Sequence, residues 1–224
     1  MERHFDQELN TLKERLLTMA SHTESAVNQA VQALTNRELD LALRVRANDS
    51  IIDQFEIEID DLAIHLLAKA PLASDLRFVT VAMKISQNLE RVGDEAAKIA
   101  KRARDLTAEP PLKLSLDLPK LAQLALAMLK AALDSFVQRD PAAARALIPR
   151  DQEVDALHKQ IQRTLTDQMT AEVSTIKRCL NLMIATKSLE RIADHATNIA
   201  EEVVYLCEAA DIRHAGKTMP SAVG

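Results

Sequence analysis

Glycine is scarce, with three in 224 residues; tryptophan is absent, and a single tyrosine accompanies four phenylalanines. Strands joined by tight hairpins need β-branched and aromatic runs separated by turn-forming residues, so this composition excludes a β-rich fold. The two cysteines, Cys179 and Cys207, supply neither a disulfide framework nor a thiolate metal site, and both read as ordinary helix residues. No run approaches the roughly 18 apolar residues of a membrane span. The N-terminus, MERHFDQELN, is charged from its second residue and lacks the apolar stretch of a signal peptide, so a cytoplasmic location is expected. Acidic residues outnumber basic ones by 33 to 28, and no basic block is interleaved with aromatics, which removes the footprint needed to bind nucleic acid. Abundant Ala, Leu, Arg, Glu and Lys point instead to helices joined by short loops.

Apolar spacing of three and four residues places the helices. The first is expected from about His4 to Asn36, with Leu9, Leu12, Leu16, Met19, Ala26, Ala30, Ala33 and Leu34 on one stripe. The second spans about Leu39 to Ala70, carries Ile52, Phe55, Ile59, Leu62 and Leu66, and stops at Pro71. Ser74 can cap a third, whose seam is Ile85, Leu89, Val92, Ala96, Ile99 and Ala103 and which ends at Glu109, Pro110 and Pro111. Three of the seven prolines fall between Thr107 and Pro119, marking a linker. A fourth helix follows to Arg139. Asp140 as N-cap and Pro141 at the first position start a fifth, kinked at Pro149 and reaching Thr170. A sixth runs from Ser174 to about His214, with Gly216 as its C-cap. The fold class expected is all-α, two tandem three-helix bundle repeats of six long antiparallel helices: residues 1–108, a proline-rich linker at 109–118, residues 119–216 and a flexible tail at 217–224.

The two halves are copies. LERVGDEAAKIA at Leu89 to Ala100 aligns without gaps on LERIADHATNIA at Leu189 to Ala200, and DSIID at Asp49 to Asp53 aligns on DQEVD at Asp151 to Asp155. The offsets are 100 and 102 residues. Each matched segment holds two carboxylates four residues apart: Asp49 with Asp53, Glu90 with Asp94, Asp151 with Asp155, and Glu190 with Asp194. Such pairs lie on one helix face about 6 Å apart. If the second and third helices turn between Pro71 and Leu72, Asp49 is level with Asp94 and Asp53 with Glu90. A turn at Glu172 and Val173 does the same for Asp151 with Asp194 and Asp155 with Glu190. Each repeat should therefore hold four facing carboxylates, on an outer polar surface away from the apolar seams.

Facing like charges repel and need a cation beside them. Lys84 and Lys98 near the first cluster and Lys187 near the second are candidates, and Arg91 and Arg191 should orient the acids. A metal ion does this better, and hard oxygen ligands suit Mg²⁺, Mn²⁺, Ca²⁺ or iron over copper or structural zinc. No Glu-x-x-His pair of the buried di-iron bundles occurs. His158, three residues after Asp155, reads as a surface histidine, and His195 as a packing or hydrogen-bonding one.

These repeats resemble those of the PhoU family of phosphate-specific transport accessory proteins. The resemblance rests on LERIADHATNIAEEVVYL at Leu189 to Leu206, LERVGDEAAKIA, ASDLRFV at Ala73 to Val79 and DIRHAG at Asp211 to Gly216, and covers nearly the whole chain. It implies a divalent metal (Mg, Mn, Fe or Zn) held in multinuclear clusters by the eight paired acids. It also implies a dimer, and a non-enzymatic repressor of the phosphate-starvation response that links the phosphate ABC transporter, through its ATPase subunit, to a sensor histidine kinase. Two other readings stand beside it: a carboxylate-bridged dimetal oxidase or phosphohydrolase, and a purely structural helical module. The first copy departs from the second in having Glu95 and Lys98 where the second has His195 and Asn198. The first site is therefore expected to bind metal more weakly or with a different nuclearity.

Overall fold

A computed structural model describes residues 2–69 and 72–213, and no strand occurs among them. The helices are α1 (Glu2–Asn36), α2 (Leu39–Ala47), α3 (Asp49–Leu67), α4 (Ala73–Thr107), α5 (Leu118–Gln138), α6 (Pro141–Leu147), α7 (Asp151–Ala171) and α8 (Ile176–Glu208). Short 3₁₀ turns occupy Ile148–Arg150 and Val173–Thr175. Because α2 runs into α3 and α6 into α7, the chain makes six long rods in two sets of three.

The apolar stripes become the core as their spacing requires. Leu12, Leu16, Met19, Ala30 and Ala33 of α1 are buried, as are Ile52, Ile59 and Leu66 of α3 and the whole seam of α4. Helix α1 packs on α4, and α5 on α8. The apolar helix α5 is the one described helix long and apolar enough to cross a membrane, but half of it is buried in the bundle, through Leu121, Ala125, Met128, Leu129, Ala132 and Phe136.

Several helix ends differ from the pattern. The second rod is not continuous: α2 ends at Asn48, whose φ and ψ of −96° and 1° lie off the helical basin while its N–H still reaches Arg44 and Val45. This break matches, across the repeat, the 3₁₀ turn around Pro149, where the missing N–H interrupts the ladder as anticipated. Ser74 is not a cap. Helix α4 starts from Leu72 with no side-chain cap, and the Ser74 hydroxyl lies 3.5 Å from Asp75 Oδ1. Asp140 does cap α6, accepting from the N–H groups of Ala142 and Ala143 at 2.9 and 3.0 Å, behind a left-handed Arg139. Glu172 is the extended residue that turns α7 into α8. Helix α8 stops at Glu208, where Ala209 turns left-handed, well short of His214. Ala70, Pro71, His214, Gly216 and the tail at 217–224 lie outside the described residues.

The repeats meet where α4 packs antiparallel on α8. Lys84 reaches Glu202, Asn88 reaches His195 and Asn198, Glu95 reaches Arg191, and Arg102 reaches Asn181, so numbers rise along one helix as they fall along the other.

Within the first repeat, α3 packs tightly on α4 at Gly93, where an added Cβ would stand 2.9 Å from Ile52 Cδ1 and 3.3 Å from its Cγ2. The corresponding residues of the second repeat are Ala193 and Val154, both fully buried. Isoleucine with glycine and valine with alanine carry the same number of side-chain carbons, so the copies trade one carbon across the interface. Gly93→Ala alone overpacks this contact and should be less stable than the double variant Gly93→Ala with Ile52→Val by about 1 kcal/mol or more. The double variant keeps the helix-propensity gain of about 1 kcal/mol over glycine. Urea unfolding midpoints check both, and equal stability of single and double variants would contradict the packing argument.

Candidate metal centre

Each cluster is built from a helix start facing a helix middle. The break at Asn48 makes Asp49 the first residue of α3 and puts Asp53 one turn on; the 3₁₀ turn before α7 does the same for Asp151 and Asp155. The positive end of a helix dipole thus lies beside each pair. Glu90 and Asp94 project from the middle of α4, Glu190 and Asp194 from the middle of α8. The structure brings together what the level pairing anticipated. Asp49 senses the charges of Asp53 and Asp94, and Glu90 those of Asp94 and Asp53. In the second repeat Asp194 senses Glu190, Asp151 and Asp155, while Asp151 senses Asp155 and Glu190.

The clusters do not lie on a simple outer surface. Asp53 and Asp194 are exposed, but Asp49, Glu90, Asp94, Asp151 and Asp155 are half-buried and Glu190 is only 8% exposed. Angles counted from one apolar stripe ignore that α4 and α8 each pack on two neighbours, their own repeat and the other one. A cavity of about 570 Å³ opens at that second contact, lined by Arg91, Asp94, Glu95, Lys98, Asp151, Arg191, Asp194, His195, Thr197 and Asn198. Both clusters contribute carboxylates to it.

Crowding leaves these acids under-compensated. Desolvation, then the neighbouring carboxylates, raises Asp49 and Asp151; desolvation likewise raises Glu90, against the opposing pull of Arg91 and with Asp94, Glu56 and Asp53 adding to the rise. Asp194, partly desolvated despite its exposed edge and facing Glu190 and Asp151, is pushed up to about 6. Asp151 Oδ1 and Glu190 Oε2 are buried with no hydrogen-bond partner, and buried Glu90 Oε2 has an ion pair with Arg91 but no hydrogen bond.

The cations are distributed differently from the expectation. Lys98 stands 3.7 Å from Asp94, Lys187 is 2.6 Å from Glu190 Oε1 and Lys159 is 3.1 Å from Asp155. Arg91 pairs with Glu90 at 3.3 Å and Asp94 at 3.8 Å. Lys84 belongs to Glu202 instead of the first cluster, and Arg191 crosses to Glu95 of the other repeat at 3.2 Å instead of orienting Glu190 or Asp194. His195 is a hydrogen-bonding residue, 2.9 Å from Asn88. His158 is not a surface histidine: it is half-buried, 3.0 Å from Gln162, and senses Glu190 and Asp155. Sequence reasoning named Glu95 only as a difference between the copies, without a role, and missed Glu56. Glu95 is buried between the repeats, and only knowledge of the α4–α8 contact would have singled it out. Glu56, one turn after Asp53, carried a signal in its spacing.

Oxygen-rich donors, raised carboxylates and orphaned buried oxygens fit a divalent cation. Among the described residues no three of these groups converge on one point as they stand, so ligation requires the carboxylates to turn about their side-chain torsions. Titration tests the repulsion itself. Asp194 holds its proton more tightly folded than unfolded, so its ionisation favours unfolding as pH rises from about 4 through about 6. In chelator-treated protein Asp194→Asn should melt a few degrees above wild type at pH 7.5 and converge on it near pH 4. A variant that melts lower at pH 7.5 would mean the folded state stabilises that charge.

Comparison with known proteins agrees with this architecture. The family model of the PhoU domain matches twice, over residues 16–103 and 118–203. The two stretches begin 102 and end 100 residues apart, repeating the offsets of the paired acids. The chain is 40% identical over 208 residues to the phosphate-specific transport system accessory protein PhoU homolog of Rhizobium meliloti, covering 92% of this chain and 88% of that one. It is 33% identical over 213 residues to PhoU of Escherichia coli, covering 95% and 88%. The crystal structure of PhoU from Pseudomonas aeruginosa superposes with a TM-score of 0.89 at 38% identity, covering 92% of this chain and all of that one. The phosphate transport system regulatory protein PhoU from Streptococcus pneumoniae superposes at 0.85 and 28% identity, covering 93% and 99%. With the domain matched twice and the fold shared over more than nine-tenths of its length, the chain belongs to the PhoU family.

Proposed function

We propose that this chain is a metal-binding regulatory adaptor of phosphate transport, a cytoplasmic dimer that restrains the phosphate-starvation response by linking a phosphate ABC transporter's ATPase to a sensor histidine kinase. The observation that carries the reading is the pair of under-compensated carboxylate clusters opening on the α4–α8 cavity. The relatives are named accessory proteins of phosphate-specific transport, and the Streptococcus structure is named a regulatory protein of that system.

Asp49, Asp53, Glu90 and Asp94 would hold metal in the first repeat, and Asp151, Asp155, Glu190 and Asp194 in the second. A bound divalent cation supplies the positive charge that the lysines supply only in part. The acids then tie the start of α3 to α4, and of α7 to α8, setting the helix faces that a partner meets. Nothing in this scheme needs a nucleophile, and the protein acts by presenting surfaces rather than by turnover.

Elemental analysis after purification without chelator or affinity metal should find one or more metal ions per chain. Glu190→Ala with Asp194→Ala should lose those of the second repeat and keep those of the first. In a strain lacking the native copy, the same variant should leave a phosphate-starvation reporter active in phosphate-rich medium, and should weaken capture of the kinase or the ATPase. A wild type that carries no metal and cannot be loaded contradicts the metal reading. Phosphatase or oxidase turnover that depends on added Mn²⁺ or Fe²⁺ contradicts the adaptor reading.

A further inference from the structure

The two clusters share their carboxylate frame but differ in the residue one turn beyond it. Across the 102-residue offset, Glu56 of α3 corresponds to His158 of α7. The structure places both beside their clusters. Glu56 is within electrostatic reach of Asp53 and Glu90, and His158 is within reach of Asp155 and Glu190. Glu190 is nine-tenths buried with Oε2 unpartnered, an acceptor facing this end of the second cluster.

The His158 ring is free to be a ligand. Its partner, the Gln162 amide nitrogen, also faces the Met183 carbonyl at 3.1 Å and Thr186 Oγ1 at 3.0 Å. If a metal took the imidazole nitrogen, the Gln162 amide would still have two acceptors for its two hydrogens, so giving up the His158 contact leaves no donor unpartnered. Lys187 stands against Glu190 on the same side, where the first repeat has Gln87.

We propose that the clusters select different cations: the first, with Glu56, is an all-oxygen site for hard ions such as Mg²⁺ or Mn²⁺, and the second, with His158 as a nitrogen ligand, favours borderline ions such as Zn²⁺ or Fe²⁺. Imidazole prefers late first-row metals and carboxylate the harder ions, and the lower negative charge of the second site removes part of its attraction for hard ones. The inference rests on the metal-binding reading and concerns which metal each repeat takes.

The test is pulsed EPR on Mn²⁺-loaded full-length protein, with Zn²⁺ titrations in excess Mg²⁺ followed by calorimetry. Nitrogen modulation of the Mn²⁺ echo is expected in wild type and in Glu90→Ala with Asp94→Ala. It should vanish in His158→Gln, which also loses about tenfold or more of its Zn²⁺ affinity while Mg²⁺ binding persists. Glu56→His should install a second nitrogen signal and raise Zn²⁺ affinity in the first repeat, a gain that misfolding cannot mimic. Metal at both sites with no nitrogen modulation, and Zn²⁺ preference unchanged in His158→Gln, overturns this inference and leaves the adaptor reading standing. Failure of wild type to take up any Mn²⁺ or Zn²⁺ overturns both.

Discussion

One buried carboxylate holds the two repeats in register. Glu95 lies where α4 meets α8, 4% exposed, and burial alone would push its proton affinity up. Hydrogen bonds from Ser188, Lys98 and Arg191 outweigh that and hold it below the ordinary carboxylate range. Two of those partners come from the other repeat, so α8 itself supplies part of what keeps the buried charge ionised. On the other side of the same contact His195, the counterpart of Glu95, bonds Asn88, the counterpart of Ser188. The pairs are related by the duplication, and they fix the antiparallel α4–α8 crossing that turns two separate acid clusters toward one cavity.

The clusters themselves oppose folding. Each gathers four carboxylates where desolvation and mutual repulsion raise several of them, and the lysines nearby neutralise only part of the charge. The helix starts at Asp49 and Asp151 offset a little more. Under the proposed function, clusters kept under such strain would make the hairpins α3–α4 and α7–α8 respond to a bound cation.

Much of this was legible in the sequence. The seam Ile85, Leu89, Val92, Ala96, Ile99 and Ala103 is buried throughout, because a 3.6-residue period has only one way to meet a neighbour. The level pairing of Asp49 with Asp94 and Asp151 with Asp194 followed from helix rise and turn position alone. What escaped depends on contacts between distant segments. The break at Asn48 carries no proline or glycine and became visible only through its match to Pro149. The destinations of Arg191 and Lys84, the burial of Glu190 and the partners of Glu95 all follow from α4 lying on α8, which no local pattern encodes. His158 looked solitary because its counterpart is a glutamate, a different ligand chemistry in the same place.

The proposed function requires cations in both carboxylate clusters beside the α4–α8 contact. Anomalous diffraction from crystals grown with Mn²⁺, collected on either side of the manganese edge, tests it most directly. Difference peaks are expected within ligand distance of Asp49, Asp53, Glu90 and Asp94 in one repeat and of Asp151, Asp155, Glu190 and Asp194 in the other. Peaks elsewhere on the bundle, or clusters with ordered carboxylates and no anomalous density, would contradict it.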